Sequence, residues 1–374
     1  MDIPLFKIGW DEDDITAISE IIRSGKYWCI GSEIEELEKK IANYIGLSHC
    51  ILLNSGGSAL DALMNAYGFK KGDEIIVPSF TFIASAYAPI YAGASPVFAD
   101  IEEQTFGLDV DDVSSKISSS TKAILPIHYG GMPCKIDELK ELAEEKGIIL
   151  IEDAAESFGA MLEGRQTGSF GDSSIFSFCQ NKVITTSEGG CVVTDNSEVN
   201  EAVRRFRSYG RIVSGDYFAG GAEVEYVEVG YNLRISTLLA GLGLSQLKRV
   251  DELIEMRRNN AQYLIERLSE IEDIITPTPP SKRFYAVYQM FTIRVKDGSR
   301  KRNELMDHLK SKGIDSKVYF DPVHKYSVFQ NLGYGKADLP TTERISSQVL
   351  TLPMYPHMTD EELEYISKSV IEFF

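Results

Sequence analysis

Cysteine is scarce in this chain of 374 residues: Cys29, Cys50, Cys134, Cys179 and Cys191 are all there are. Their number is odd, and none stands in a C-x-x-C pair or beside a histidine cluster, so neither a disulfide framework nor a bound metal is expected. Reduced thiols follow, and Cys179, in an apolar stretch, reads as a small core residue rather than a nucleophile. Long apolar runs are missing too. No stretch of about 18 or more apolar residues occurs, which excludes a membrane-spanning helix. The opening M-D-I-P-L-F-K-I-G-W-D-E-D-D has neither the basic nor the apolar region of a secretory leader. A cytoplasmic protein is expected. Basic residues are outnumbered: 38 Lys and Arg against 56 Asp and Glu leave a formal charge of −18. A nucleic-acid partner is therefore not expected, because binding a polyanion requires a basic surface. Internal repeats and low-complexity tracts are also absent.

What is present is core-forming material, 43% hydrophobic with 10% aromatic, in a chain long enough for two domains. Residues 11–24 and 32–45 carry apolar residues at helical spacing behind acidic or serine caps. Short apolar runs then alternate with helical patterns. Strands are predicted at 49–53, 74–78, 96–100, 121–128, 147–152, 173–179 and 190–194, with helices at 84–92, 111–118, 135–146 and 199–208. That alternation predicts an α/β fold, a mainly parallel sheet with helices on both faces. A long helix from Ser245 leads into a smaller α+β unit with strands at 290–295 and 316–320 and a helix at 302–312. The domains are placed at 1–245 and 246–374.

Two residues carry the chemistry. Asp153 follows the apolar run I-L-I-E just past its carboxyl end, where open α/β sheets keep their ligands, and Lys182 lies in the loop leaving the strand S-S-I-F-S-F-C. A carboxylate and an amine reaching one crevice from neighbouring strand ends suit pyridoxal phosphate (PLP). The amine can link to the cofactor's aldehyde, and the carboxylate holds its ring nitrogen protonated. An ordinary ion pair at a strand end explains the same two residues. A third feature, N-S-G-G-S-A-L-D, turns a strand straight into a helix. Gly56 and Gly57 let the backbone come close, Ser58 offers a hydroxyl, and the helix start favours an anion; plain capping is the simpler account.

The pieces P-S-F-T-F-I-A-S, E-D-A-A-E-S-F-G-A, F-S-F-x-x-N-K-x-I-T-T-x-E-G-G, V-G-Y-N-L-R-I-S and L-T-L-P-M-Y-P resemble, in order and across nearly the whole chain, the sugar-nucleotide (DegT/StrS-type) aminotransferases. The resemblance implies the fold of aspartate-aminotransferase-like PLP enzymes, with L-glutamate as amino donor and a nucleotide-linked keto-sugar as acceptor. It implies a homodimer with shared sites, Lys182 and Asp153 as catalytic groups, and Phe82 and Ala155 on opposite faces of the cofactor ring. Ser177, Ser58, Gly56, Gly57 and, from the other protomer, Asn232 would hold the phosphate. Relatives usually read S-G-T where this chain has Ser55-Gly56-Gly57, so a threonine hydroxyl is missing. Many have Gln at position 156; here Glu156 either carries a proton or turns towards the substrate. Ser187 stands where relatives often have Gly. Tyr27, Trp28 and His128 are candidate substrate contacts, with anchoring of the N-terminal arm the alternative for the first two and a structural histidine for the third; Tyr319 and His324 are further candidates because Y-F-D-P-V-H-K-Y resembles a segment that approaches the active site. The basic run Arg204 to Arg211 is a candidate for the acceptor's diphosphate, or else a helix end with solvated arginines. Dehydratases of the same family carry His at the lysine position, and a catalytically silent binding protein on this scaffold is the remaining alternative.

Overall fold

A computed structural model describes residues 1–214 and 222–374. Helices α1 (Glu12–Ser24) and α2 (Ser32–Ile45) precede a seven-stranded sheet. Its strands are β1 (His49–Leu53), β2 (Glu74–Pro78), β3 (Ser95–Ala99), β4 (Thr121–Ile124), β5 (Ile149–Asp153), β6 (Ser173–Ser177) and β7 (Gly190–Thr194). Their spatial order is β1-β7-β6-β5-β4-β2-β3, and only β7 runs against its neighbours. The apolar runs lack polar alternation because both faces are covered. Ile51, Leu53, Ile75, Val77, Ile151 and Ile175 pack beneath α3 (Gly56–Ala66) and α4 (Ile83–Tyr91) on one side. Cys50, Leu52, Phe176, Cys191 and Val193 meet α2 on the other, while Ile76, Ile124 and Leu150 meet a helix at Ile136–Lys146.

Several boundaries differ from expectation for local reasons. The strand expected over 121–128 ends at Ile124, because Pro126 has no N–H for the ladder and offers only its carbonyl, to the Asp153 N–H at 2.9 Å. The long helix expected from Ser245 is two helices, Thr237–Lys248 and Val250–Leu268. They join at Arg249, whose guanidinium bonds Asp11 and Asp14 at the start of α1. After Tyr209, where no strand is predicted, Arg211–Ser214 pairs antiparallel with Glu223–Tyr226.

The C-terminal unit is built on an antiparallel sheet of β8 (Ile274–Ile275), β9 (Phe291–Val295) and β10 (Val349–Leu352). Residues 316–320, expected as a strand, make only a bridge at Lys317 to Thr351. The first residues of the chain join this unit: Ile3 is fully buried in its core, and its N–H donates to Gly313 O at 2.8 Å. The N-terminal arm thus returns across the expected boundary at 245/246.

Candidate active site

The carboxyl ends of β5 and β6 and the turn before α3 surround a cavity of about 460 Å³. That is the size of an ordinary small-molecule site, ~300–1,000 Å³. Asp153 ends β5 and is 7% exposed. Its Oδ2 accepts from the Ser85 hydroxyl at 2.7 Å and its Oδ1 from the Ala155 N–H at 3.1 Å. Burial pushes this carboxyl above the ordinary aspartate value, while Ser85, the Ala155 N–H and Lys182 pull against it. A cation placed beside it would complete the site. Lys182 lies on the same cavity, its Nζ 3.6 Å from Glu156 Oε1, and Glu156 Oε2 accepts from the Gly130 N–H at 2.8 Å. Both oxygens of Glu156 therefore face donors, one of them the lysine itself. Behind the lysine loop, Gln289 donates to the Asn181 carbonyl.

The opposite wall suits a phosphate. Ser55 caps α3 by accepting from the Ser58 N–H at 3.0 Å, and Ser55, Gly56, Gly57 and Ser177 all line the cavity. The backbone here is packed as closely as glycine permits. A Cβ on Gly56 would lie 2.9 Å from that of Ser177, and one on Gly190 would lie 2.5 Å from the Gly56 nitrogen. Ser58 is not among the lining residues; its N–H and hydroxyl are both bonded to Ser55 Oγ. Between the two walls stand Ala155 and Phe82, the latter 62% exposed although it is a large aromatic. An aromatic face left uncovered at a cavity, a helix start for a phosphate, a buried acid and an amine together fit PLP.

Beneath this floor lies an acid that the sequence did not single out. Glu152 is fully buried and accepts from the N–H groups of Gly168, Phe170 and Gly171, from the Ser174 hydroxyl and from His128 Nε2. Burial alone would raise its carboxyl, but His128 and the backbone donors outweigh burial and hold it below the usual glutamate value. His128 borders the cavity, and its Nδ1 accepts from the Cys134 N–H at 3.1 Å, so its proton sits on Nε2 and points at Glu152. The ring is fixed from both sides.

Other expected contacts fall elsewhere. His324 is fully buried between Ser79, 2.6 Å from its Nδ1, and Glu343, and does not line the cavity. Tyr27 and Trp28 also lie off it, in a loop pinned to the helix at Thr237–Lys248: the Trp28 carbonyl accepts from Thr237 N–H at 2.8 Å. Asn232 is exposed outside this cavity. Arg204 and Arg207 both bond Glu38 at 2.8 Å and Arg205 bonds Glu228, so three of the four arginines of the basic run are tied to acidic partners. Tyr319 does line the cavity, together with Lys317 and Phe320, which no sequence signal singles out. The Tyr129 hydroxyl secures that segment by donating to the Tyr319 carbonyl.

The fold places Lys182 and Asp153 on one cavity at the carboxyl edge of an α/β sheet, an arrangement that suits PLP. The profile of the DegT/DnrJ/EryC1/StrS aminotransferase family matches residues 9–371. GDP-perosamine synthase of Escherichia coli O157:H7 is 32% identical over 372 residues, covering 100% of this chain and 98% of that protein. Helicobacter pylori PseC, an aminotransferase involved in pseudoaminic acid biosynthesis, superposes with a TM-score of 0.94 at 27% identity over 100% of this chain and 99% of its own. A putative sugar aminotransferase of Streptococcus pneumoniae, solved in its PLP form, gives 0.93 at 26% identity and 100% coverage of both chains. The chain belongs to the DegT/DnrJ/EryC1/StrS aminotransferase family and is a PLP-dependent transaminase.

Proposed function

We propose that this transaminase takes an amino group from L-glutamate and places it on the keto group of a nucleotide-linked sugar, making an amino sugar for a surface polysaccharide or related glycoconjugate. PLP, when bound, supplies an aldehyde that accepts and returns the amine and a ring that draws off electrons. Lys182 is the covalent anchor and, once displaced, the group that moves the proton at the substrate carbon. Asp153 holds the ring nitrogen charged. Ser177, Gly56 and Gly57 would meet the phosphate. Phe82 and Ala155 would bracket the ring.

The carrying observation is Lys182 and Asp153 on one cavity above the α3 start. A lysine at that position weighs against a dehydratase, and the pair weighs against a silent scaffold. The enzyme works in the cytoplasm as a C2 homodimer in which Asn232 of each protomer approaches the phosphate of the other. Apolar and aromatic residues exposed beside Asn232 favour that face: Tyr226 and Tyr231 are about three-fifths exposed and Val229 is 87% exposed. Purified holoenzyme should be yellow, lose that colour on addition of L-glutamate, and then convert one member of a panel of keto-sugar nucleotides. An enzyme that keeps its colour with glutamate, or aminates none of the panel, refutes the assignment.

A further inference from the structure

The active-site cavity is short of positive charge. Its lining acids are Asp153, Glu156 and Glu188; its lining amines are Lys182 and Lys317. His128, the other basic group on the wall, has both ring nitrogens engaged. Lys182 is committed to the cofactor. One cation is left among the described lining residues, yet both substrates of the proposed reaction are anions that must enter this cavity in turn. The donor carries carboxylates and the acceptor a diphosphate.

Lys317 is suited to meet them. Its main chain is fixed against β10, donating to Thr351 O at 3.1 Å and accepting from Thr351 N at 2.8 Å, so the side chain starts from a rigid base. That side chain is exposed, with Nζ 4.5 Å from the centroid of the Tyr319 ring, itself part of the cavity wall. Among the described residues no carboxylate pairs with it. An aromatic face steadies an ammonium without neutralising it, which leaves the charge available to an incoming oxyanion.

We propose that Lys317 is the substrate-oxyanion receptor of this active site, contacting the donor's carboxylate or the acceptor's diphosphate. The proposal rests on the aminotransferase reading above. The test uses the PLP-loaded enzyme with Lys317→Met, which keeps an apolar stem, and Lys317→Arg, which keeps the charge. Colour loss is titrated with L-glutamate, its return with 2-oxoglutarate, and both are repeated with inorganic pyrophosphate as competitor. Calorimetric binding of 2-oxoglutarate and pyrophosphate provides a readout independent of turnover.

Loss of one charge-assisted contact should raise the half-saturating concentration, or the pyrophosphate inhibition constant, roughly 10- to 100-fold in Lys317→Met. The maximal half-reaction rate and the melting temperature should stay within a few-fold and a few degrees of wild type, and Lys317→Arg should restore binding. A change confined to glutamate and 2-oxoglutarate assigns the carboxylate; a change confined to pyrophosphate assigns the diphosphate. Unchanged binding of all three, or a lower maximal rate with unchanged half-saturation, overturns the proposal. Wild-type enzyme that keeps its colour with glutamate instead sinks the underlying reading, and the binding data then judge Lys317 separately.

Discussion

Asp153→Asn isolates a charge, because the structure accommodates the asparagine. The carboxamide oxygen can keep the Ala155 N–H, and its NH2 can donate to Ser85 Oγ. Ser85 then turns its own proton to Thr81 Oγ1, 2.9 Å away. The Thr81 proton then loses Ser85 as its acceptor, but Thr81 lines the cavity, so folding stability should fall by no more than about 1–3 kcal/mol. On the proposed reading, the negative charge that would face the cofactor's ring nitrogen is lost. Two opposite unit charges about 4 Å apart at an effective dielectric near 20 attract by about 4 kcal/mol. If most of that is felt where the ring draws electrons, the half-reaction with saturating L-glutamate should slow by roughly 10³-fold. Single-turnover colour loss measures this directly. A second readout is the melting temperature with and without PLP. Burial raises the carboxyl of Asp153, so ionising it costs stability as pH rises through the aspartate range, and a cationic ring offsets that cost. PLP should therefore stabilise the wild type more than Asp153→Asn. A variant that reacts within threefold of wild type, or gains as much from PLP, refutes the reasoning.

Glu152→Gln should destabilise the protein by about 3–5 kcal/mol by urea unfolding, because either orientation of the amide points an NH2 at donors that now meet carboxylate oxygen; a loss below about 1 kcal/mol would contradict the buried charge. Since that carboxyl is held low in the folded state, its contribution is present above the ordinary glutamate range and is lost as pH falls through the depressed value, so the difference between wild type and Glu152→Gln should shrink in acid. Ser187 has φ +70° and an exposed side chain. Ser187→Gly should therefore stabilise the turn by about 0.5–1 kcal/mol, and a lower urea midpoint would count against left-handed strain there.

The parts of the site that a sequence can reveal are those where chain position and chemistry coincide. Asp153 and Lys182 were legible because two short apolar runs ended beside them and strand ends in such sheets face the ligand crevice. The α3 start was legible from its glycines, but not which hydroxyl turns to the cavity: Ser55 lines it, whereas Ser58 does not and its Oγ accepts from the Ser55 hydroxyl. His324, Tyr27 and Trp28 were chosen by type and neighbourhood, and contacts far along the chain decide where they sit, with Ser79 holding His324 and Thr237 holding the Trp28 carbonyl. Glu152 was hidden inside I-L-I-E-D, since nothing local announces the five donors that converge on it from the chain beyond Gly168 and from His128. Lys317 was hidden because S-K-V-Y-F alternates like a strand, whereas only its second residue bridges β10, and Lys317, Tyr319 and Phe320 line the cavity.

The covalent anchor is tested most directly by reducing the yellow holoenzyme with borohydride, digesting it and locating the added cofactor mass by mass spectrometry. The account predicts one modified site, Lys182, and no modification in Lys182→Ala, which should remain folded. Cofactor mass on another lysine, or a yellow Lys182→Ala protein with undiminished transamination, would contradict it.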